Sequence, residues 1–148
     1  MILELTPNTH PILHNKIRPC SVNLDRHFVA KTLIENMLHY DGVGLAANQI
    51  GMEVRAFAMV RDLENNEIMV CFNPKIVKKY NEVVNFEEGC LSFPDKIVRV
   101  DRPDRIVVQY EDKDKKIHKI KLNGFAARVF QHELDHLEGI DFTQRSSK

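Results

Sequence analysis

Cysteine is scarce and net charge is absent in this 148-residue chain, and both shortages narrow what it can be. Cys20, Cys71 and Cys90 are an odd number at irregular spacing, which excludes a disulfide framework in a chain long enough to bury its own core. They read as reduced thiols, one of them available to a metal. Twenty-one Lys and Arg offset twenty-one Asp and Glu, so no overall field draws the protein to nucleic acid or to an anionic membrane. No segment nears the roughly 18 apolar residues that a bilayer-spanning helix requires. The opening stretch MILELTPNTHPILHNKIRPC has no basic start followed by a long apolar run, so the expected compartment is the cytoplasm and the expected state a monomer. Glycine and proline, six each, are scattered as punctuation, which excludes low-complexity linkers and leaves one domain over residues 1–148. What remains, 43% hydrophobic and 28% charged residues, is the balance of a globular protein with a real core.

Pro7, Pro11 and Pro19 break the first twenty residues into an extended arm that wraps over the body. Ala30, Leu33, Ile34, Met37 and Leu38 then recur at helical spacing between Leu24 and Tyr40, with Asn23 as the expected cap and Asp41-Gly42 as the stop. Short β-rich runs follow at Val54 to Val60, Ile68 to Phe72, Glu82 to Phe86, Ile97 to Val100 and Arg105 to Tyr110. Lys116 to Leu122 alternates apolar with polar, and the charged stretch Glu111 to Lys116 before it reads as a solvated hairpin tip. A second helix is predicted from Gly124 to Glu138, capped by Asn123 and closed by Gly139. Two helices with antiparallel-looking strands and no βαβ alternation predict an α+β fold.

On the second helix stands His132-Glu133-Leu134-Asp135-His136. Histidines four apart project from one face one turn apart, so two imidazoles can hold one ion while Glu133 reaches a water beside it. Phe125, Val129, His132 and His136 share one stripe, so the rings continue the face that packs inward. Two imidazoles leave an ion under-coordinated. Glu88-Gly89-Cys90-Leu91-Ser92 supplies the best third donor: Gly89 admits a close backbone, and a thiolate beside a divalent cation is deprotonated outright. Cys90 is therefore the predicted third ligand, whereas Cys71 sits in an apolar run and reads as an inert core thiol. By ligand type alone Zn²⁺ suits a thiolate and two imidazoles. The segment Gly42-Val43-Gly44-Leu45-Ala46-Ala47-Asn48-Gln49 follows a helix and lacks a Lys-Ser/Thr ending, so it is no phosphate cradle. Its small residues suit close approach of another chain, either packed core or an extended peptide, and the Gln49 amide can donate to an oxyanion.

Taken together, G-V-G-L-A-A-N-Q, E-G-C-L-S and H-E-L-D-H resemble the three signature motifs of the peptide deformylases, and the resemblance covers most of the chain. It implies a deformylase-like fold with short antiparallel or mixed sheets around a central helix carrying the H-E-x-x-H motif. It also implies Cys90, His132 and His136 as metal ligands, Glu133 as general acid/base, and Gln49 with the Leu91 backbone N–H as stabilisers of the oxyanion. Gly42, Val43, Gly44, Glu88 and Gly89 are the expected substrate contacts, with Val43, Phe125 and Val129 forming an apolar pocket for a methionine side chain. The implied reaction is hydrolysis of the N-formyl group from formyl-methionyl nascent peptides, releasing formate. The implied physiological ion is Fe²⁺, with Ni²⁺, Co²⁺ or Zn²⁺ as substitutes. The chain stops 12 residues after His136, short of the extension that helps some bacterial relatives dock on the ribosome, and shortened versions resemble those of some bacteriophages. Two other readings use the same residues: an amidase for a different blocked amine, and a metal that only staples the fold.

Overall fold

Every residue from Ala56 to Val60 is buried, which an antiparallel strand achieves only when both of its faces are covered. The computed structural model, which describes residues 1–147, shows what covers them. The strands are β1 (Gly44–Ala46), β2 (Ala56–Asp62), β3 (Glu67–Lys79), β4 (Val83–Cys90), β5 (Phe93–Pro103), β6 (Arg105–Glu111) and β7 (Ile117–Asn123). The helices are α1 (Arg26–His39) and α2 (Gly124–Leu137). One sheet has the order β1-β2-β3-β6-β7, and β4 pairs with β5 in a second; among the described residues every strand pairing is antiparallel. The α+β expectation holds, with both described sheets antiparallel and not mixed.

Alternate residues of β2 face opposite ways, and each set has its own helix. Phe57 and Met59 join Cys71, Ile106, Val108 and Leu122 against Ala127, Phe130, Leu134 and Leu137 of α2. Ala56, Ala58 and Val60 join Phe72 against Val29, Ala30, Leu33 and Met37 of α1. Cys71 is fully buried in the first cluster, an inert thiol whose pKa burial pushes well up. Phe57 and Phe130 meet edge to face at 5.1 Å across the sheet–helix interface.

Several boundaries depart from the sequence expectation for local reasons. Asp25, not Asn23, caps α1: its carboxylate accepts from the Phe28 N–H at 3.1 Å. The helix ends through Asp41, which takes the left-handed φ of 56° just before Gly42. Leu38 is exposed, and the inward position beside Met37 belongs to the buried Asn36. Asn123 precedes α2 but its side chain makes no capping bond; Gly124, at φ 56°, turns the chain and donates to the Asp104 carbonyl instead. β3 continues well past Phe72 because the chain exchanges β2 for β6 as its partner there, through a register shift at Asn73-Pro74. The hairpin tip is exposed, yet it also docks on the start of α1, with Arg26 on Glu111 at 2.9 Å and His27 on Asp114 at 3.0 Å.

The arm wraps as expected. Thr6 donates its N–H to the Gln49 carbonyl at 2.7 Å, Leu3 donates to Asn36, and Ile17 donates to the Leu137 carbonyl at 2.8 Å. Gly139 takes φ 77° behind α2, where an added Cβ would lie 2.8 Å from Asn15 backbone atoms of the arm. Phe130→Ala should cost about 3–5 kcal/mol in denaturant unfolding, because it empties the seam between α2 and the sheet; an unchanged midpoint would show that the seam is not the main core.

Candidate active site

α2 is buried almost all round, with eleven of its residues in the interior. That burial brings His132 and His136 to the inside face, their ring centroids 5.1 Å apart. The β4–β5 hairpin closes over them. Cys90 is the last residue of β4, where the register shifts after Gly89 and Leu91-Ser92 make a tight turn back to Phe93. One ligand atom each of Cys90, His132 and His136 lies within 4.8 Å of the other two, and Cys90 Sγ is 3.3 Å from His136 Nε2. The predicted third ligand thus converges with the pair on α2.

Each donor is held from behind. Glu88 Oε1 lies 2.9 Å from His132 Nδ1, which leaves the Nε2 side of that ring for the site. The same carboxylate is gripped by Arg102, at 2.6 and 3.0 Å, and by Arg128 at 2.6 Å. Arg102 also reaches Asp135 of α2 at 2.9 Å, and Arg145 bonds that carboxylate from its other side. The backbone of His136 is fixed by Asn48 Nδ2 at 2.7 Å. Gln49 accepts from the Ala46 N–H at 2.9 Å and donates to Ser92 Oγ at 2.9 Å, which brings its amide nitrogen within 3.6 Å of the Cys90 sulfur.

These surroundings set the charges. Burial raises the Glu88 pKa, but hydrogen bonds from His132 and Arg102 outweigh it and bring the carboxyl down to about 2. Burial likewise disfavours a charged His132, yet the Cys90 sulfur and the Glu88 carboxylate on its two nitrogens raise it to about 10. Sulfur and carboxylate together make this a point where positive charge is stabilised. His136 is held well below the usual histidine range by burial and by its neighbour His132. Glu133 is raised to about 7 by burial, against the pull of His132, and its buried Oε1 has no hydrogen-bond partner.

A cleft of about 540 Å³ opens in front of these groups. Gly42, Val43, Gly44 and Gln49 line it, as do Gly89, Cys90, Leu91, Phe125, Val129, His132 and Glu133. Val43 and Phe125, each 42% exposed, stand at its rim, while Val129 is buried at its base. Glu88 also lines the cleft, and its carboxylate turns inward to His132, Arg102 and Arg128, so the side chain orients a candidate metal ligand as well. Gly89 lines the cleft, but no close protein contact explains it, since nothing lies within 4 Å of where its Cβ would be. The close approach occurs instead at Gly44, where a Cβ would fall 2.5 Å from Glu133 Oε2, and at Gly42, where it would fall 2.8 Å from Leu91 Cδ1. Sequence reading missed Arg102, Arg128 and the part played by Ser92. Ser92 lay within the E-G-C-L-S stretch and was recoverable, whereas a lone arginine in V-D-R-P carries no local signal.

Thiolate, two imidazoles and an unpartnered buried carboxylate next to them fit one divalent cation with a corner left for water, the donor set of a catalytic site and not of a closed structural one. The class defined by fold and site is a metal-dependent hydrolase. The polypeptide deformylase family profile matches residues 2–148. A peptide deformylase of Thermotoga petrophila is 42% identical over 93% of this chain and 82% of its own length. The crystal structure of the Thermotoga maritima peptide deformylase superposes with a TM-score of 0.92 at 38% identity, covering 100% of this chain and 99% of that one. A Met-Ala-Ser-bound class I type b peptide deformylase from Acinetobacter baumannii gives 0.89 at 30% identity, over 98% of each chain. The chain belongs to the polypeptide deformylase family, hydrolases that deformylate peptides. Among the described residues, no helix is long and apolar enough to cross a membrane.

Two substitutions test the construction. Glu88→Ala should weaken metal affinity by roughly 10–100-fold, measured by competition with a chromogenic chelator, because His132 loses its orienting partner. Gly44→Ala should keep the metal but lower turnover by on the order of 10²-fold or more, since the new methyl displaces Glu133; normal turnover with full metal content would contradict that contact.

Proposed function

We propose that this protein removes the N-formyl group from the N-terminal formyl-methionine of newly made polypeptides in the cytoplasm, releasing formate. The observation that carries the reading is the buried, unpartnered Glu133 oxygen beside the Cys90–His132–His136 cluster at the base of a cleft that can admit a peptide end. Those three residues would hold the ion, which we take to be Fe²⁺ in the cell with Ni²⁺, Co²⁺ or Zn²⁺ as substitutes. When bound, it supplies Lewis acidity, making a water acidic enough to lose a proton near neutral pH and polarising the formyl oxygen.

The chain's own groups do the rest. Glu133, buried against Gly44 and raised to about 7, takes the proton from the attacking water at its free oxygen and returns it to the departing amine. Gln49, whose carbonyl is tied to the Ala46 N–H, presents its amide nitrogen beside Cys90. From there it donates to the formyl oxygen as charge builds, together with the Leu91 N–H. The Gly42-Val43-Gly44 backbone lies along the cleft opposite the hairpin and holds the peptide extended; without side chains at 42 and 44, the substrate can sit close to Glu133. Val129 closes the base of an apolar pocket for the methionine, with Val43 and Phe125 at its mouth. The Met-Ala-Ser bound to the Acinetobacter baumannii relative has the sequence a deformylated chain would carry into such a pocket.

Protein prepared anaerobically with Fe²⁺ should release formate from formyl-Met-Ala-Ser and leave acetyl-Met-Ala-Ser intact. Glu133→Ala should lose about 10²–10⁴ in rate and Gln49→Ala about 10²–10³, with KM little changed. An inert wild type, equal cleavage of the acetylated peptide, or a fully active Glu133→Ala would each overturn this function.

A further inference from the structure

One face of the five-stranded sheet is covered by a helix over only part of its width. α1 packs on β1, β2 and β3, and α2 lies on the opposite face, so the outward side of β6, β7 and the second half of β3 remains open. The cross-strand rows there are Lys75–Gln109–Lys119 and Lys78–Val107–Lys121. Lys75, Lys78, Lys119, Lys121 and Arg105 are all exposed. Three of them gather on one ring: Lys78 Nζ, Lys121 Nζ and the Arg105 guanidinium carbon lie 4.6, 5.0 and 5.1 Å from the centroid of Tyr80.

Among the described residues, none of these five cations has a carboxylate in ion-pair range, whereas Arg26, Arg55, Arg61, Arg99, Arg102 and Arg128 each have one. Glu111, on the same face, is already held by Arg26 and Asn73. Like charges on neighbouring rungs repel, and a shared aromatic face offsets only part of that repulsion. An external polyanion would offset the rest. The zero formal charge of the whole chain does not oppose this, because at physiological salt only charges within about 8–10 Å act on a contact.

We propose that this face binds single-stranded RNA through its phosphate backbone. The lysines stand on β3 and β7 to either side of β6; Lys119 and Lys121, at alternate positions of β7, are roughly 6.6–6.8 Å apart along the strand, a spacing at which consecutive phosphates of one strand can each meet a cation. The ring among Lys78, Lys121 and Arg105 is Tyr80, just past the end of β3 and tied to the sheet by its N–H on the Arg105 carbonyl at 3.1 Å, and a tyrosine there is suited to a base and not to insertion among lipid chains.

The test is fluorescence anisotropy with a labelled oligouridine, beside sedimentation with phosphatidylserine vesicles, on the metal-loaded full chain. Five phosphate contacts predict a log–log salt slope of about −3.5, so binding at 50 mM salt should weaken about 100-fold at 200 mM. Lys78→Glu, Lys119→Glu and Lys121→Glu together should weaken RNA binding at least tenfold and flatten the slope while formate release stays unchanged. Reversing Lys113, Lys115 and Lys116 at the hairpin tip should change it little. No RNA binding at 50 mM salt, equal loss in the two triple variants, or binding to vesicles but not RNA would each overturn the proposal.

Discussion

The Glu88 carboxylate, buried between Arg102, Arg128 and His132, joins the hairpin to the helix, and the metal-ligand geometry depends on that joint. The cysteine comes from the hairpin and both histidines from α2, so a shift of either element would separate them. Burying an ion pair costs several kcal/mol per charge before attraction offsets it, and such pairs add little net stability. What this one adds is position. Arg102 spans from Glu88 to Asp135, so the strand that ends in Cys90 and the helix that carries the histidines are clamped on both sides of the ligands.

The same clamp explains the charges inside. Arg102 keeps Glu88 ionised, and ionised Glu88 sets the orientation of His132. Next to His132 on α2, Glu133 has no hydrogen-bond partner on Oε1 among the described residues, and burial outweighs the pull of His132 and Arg102 on it. Two buried carboxylates of one site are thus driven in opposite directions, one to about 2 and one to about 7, because His132 and Arg102 hydrogen-bond the first and only act at a distance on the second. The first is suited to holding a ligand and the second to moving a proton.

Much of this was legible in the sequence because it is local. The four-residue spacing of His132 and His136, the turn at Cys90, the thiol at Cys71 and the period of the strands each depend on near neighbours. The parts that were hidden are tertiary. Arg102 and Arg128 acquire their meaning only when β5 lies against α2, and the grip of Glu88 on His132 and the arginines is visible only once those partners are in place. The glycines show both outcomes: Gly89 sits in open space, while Gly44 is required by a side chain 89 positions further along the chain. The cap of α1 moved from Asn23 to Asp25 for a similar reason, since both residues can cap and only the surrounding fold selects one.

The hydrogen bond from Ile17 to Leu137, with Arg55 donating to both of those carbonyls, joins the opening arm to the end of the last long helix. Contacts so distant along the chain carry a large loop-closure cost and slow the folding of the whole. During synthesis, the arm and the β1–β2 region must therefore wait on the translating ribosome for the final helix to emerge. Only after that can the thiol and the imidazoles meet, so the metal-binding cluster is completed late in synthesis.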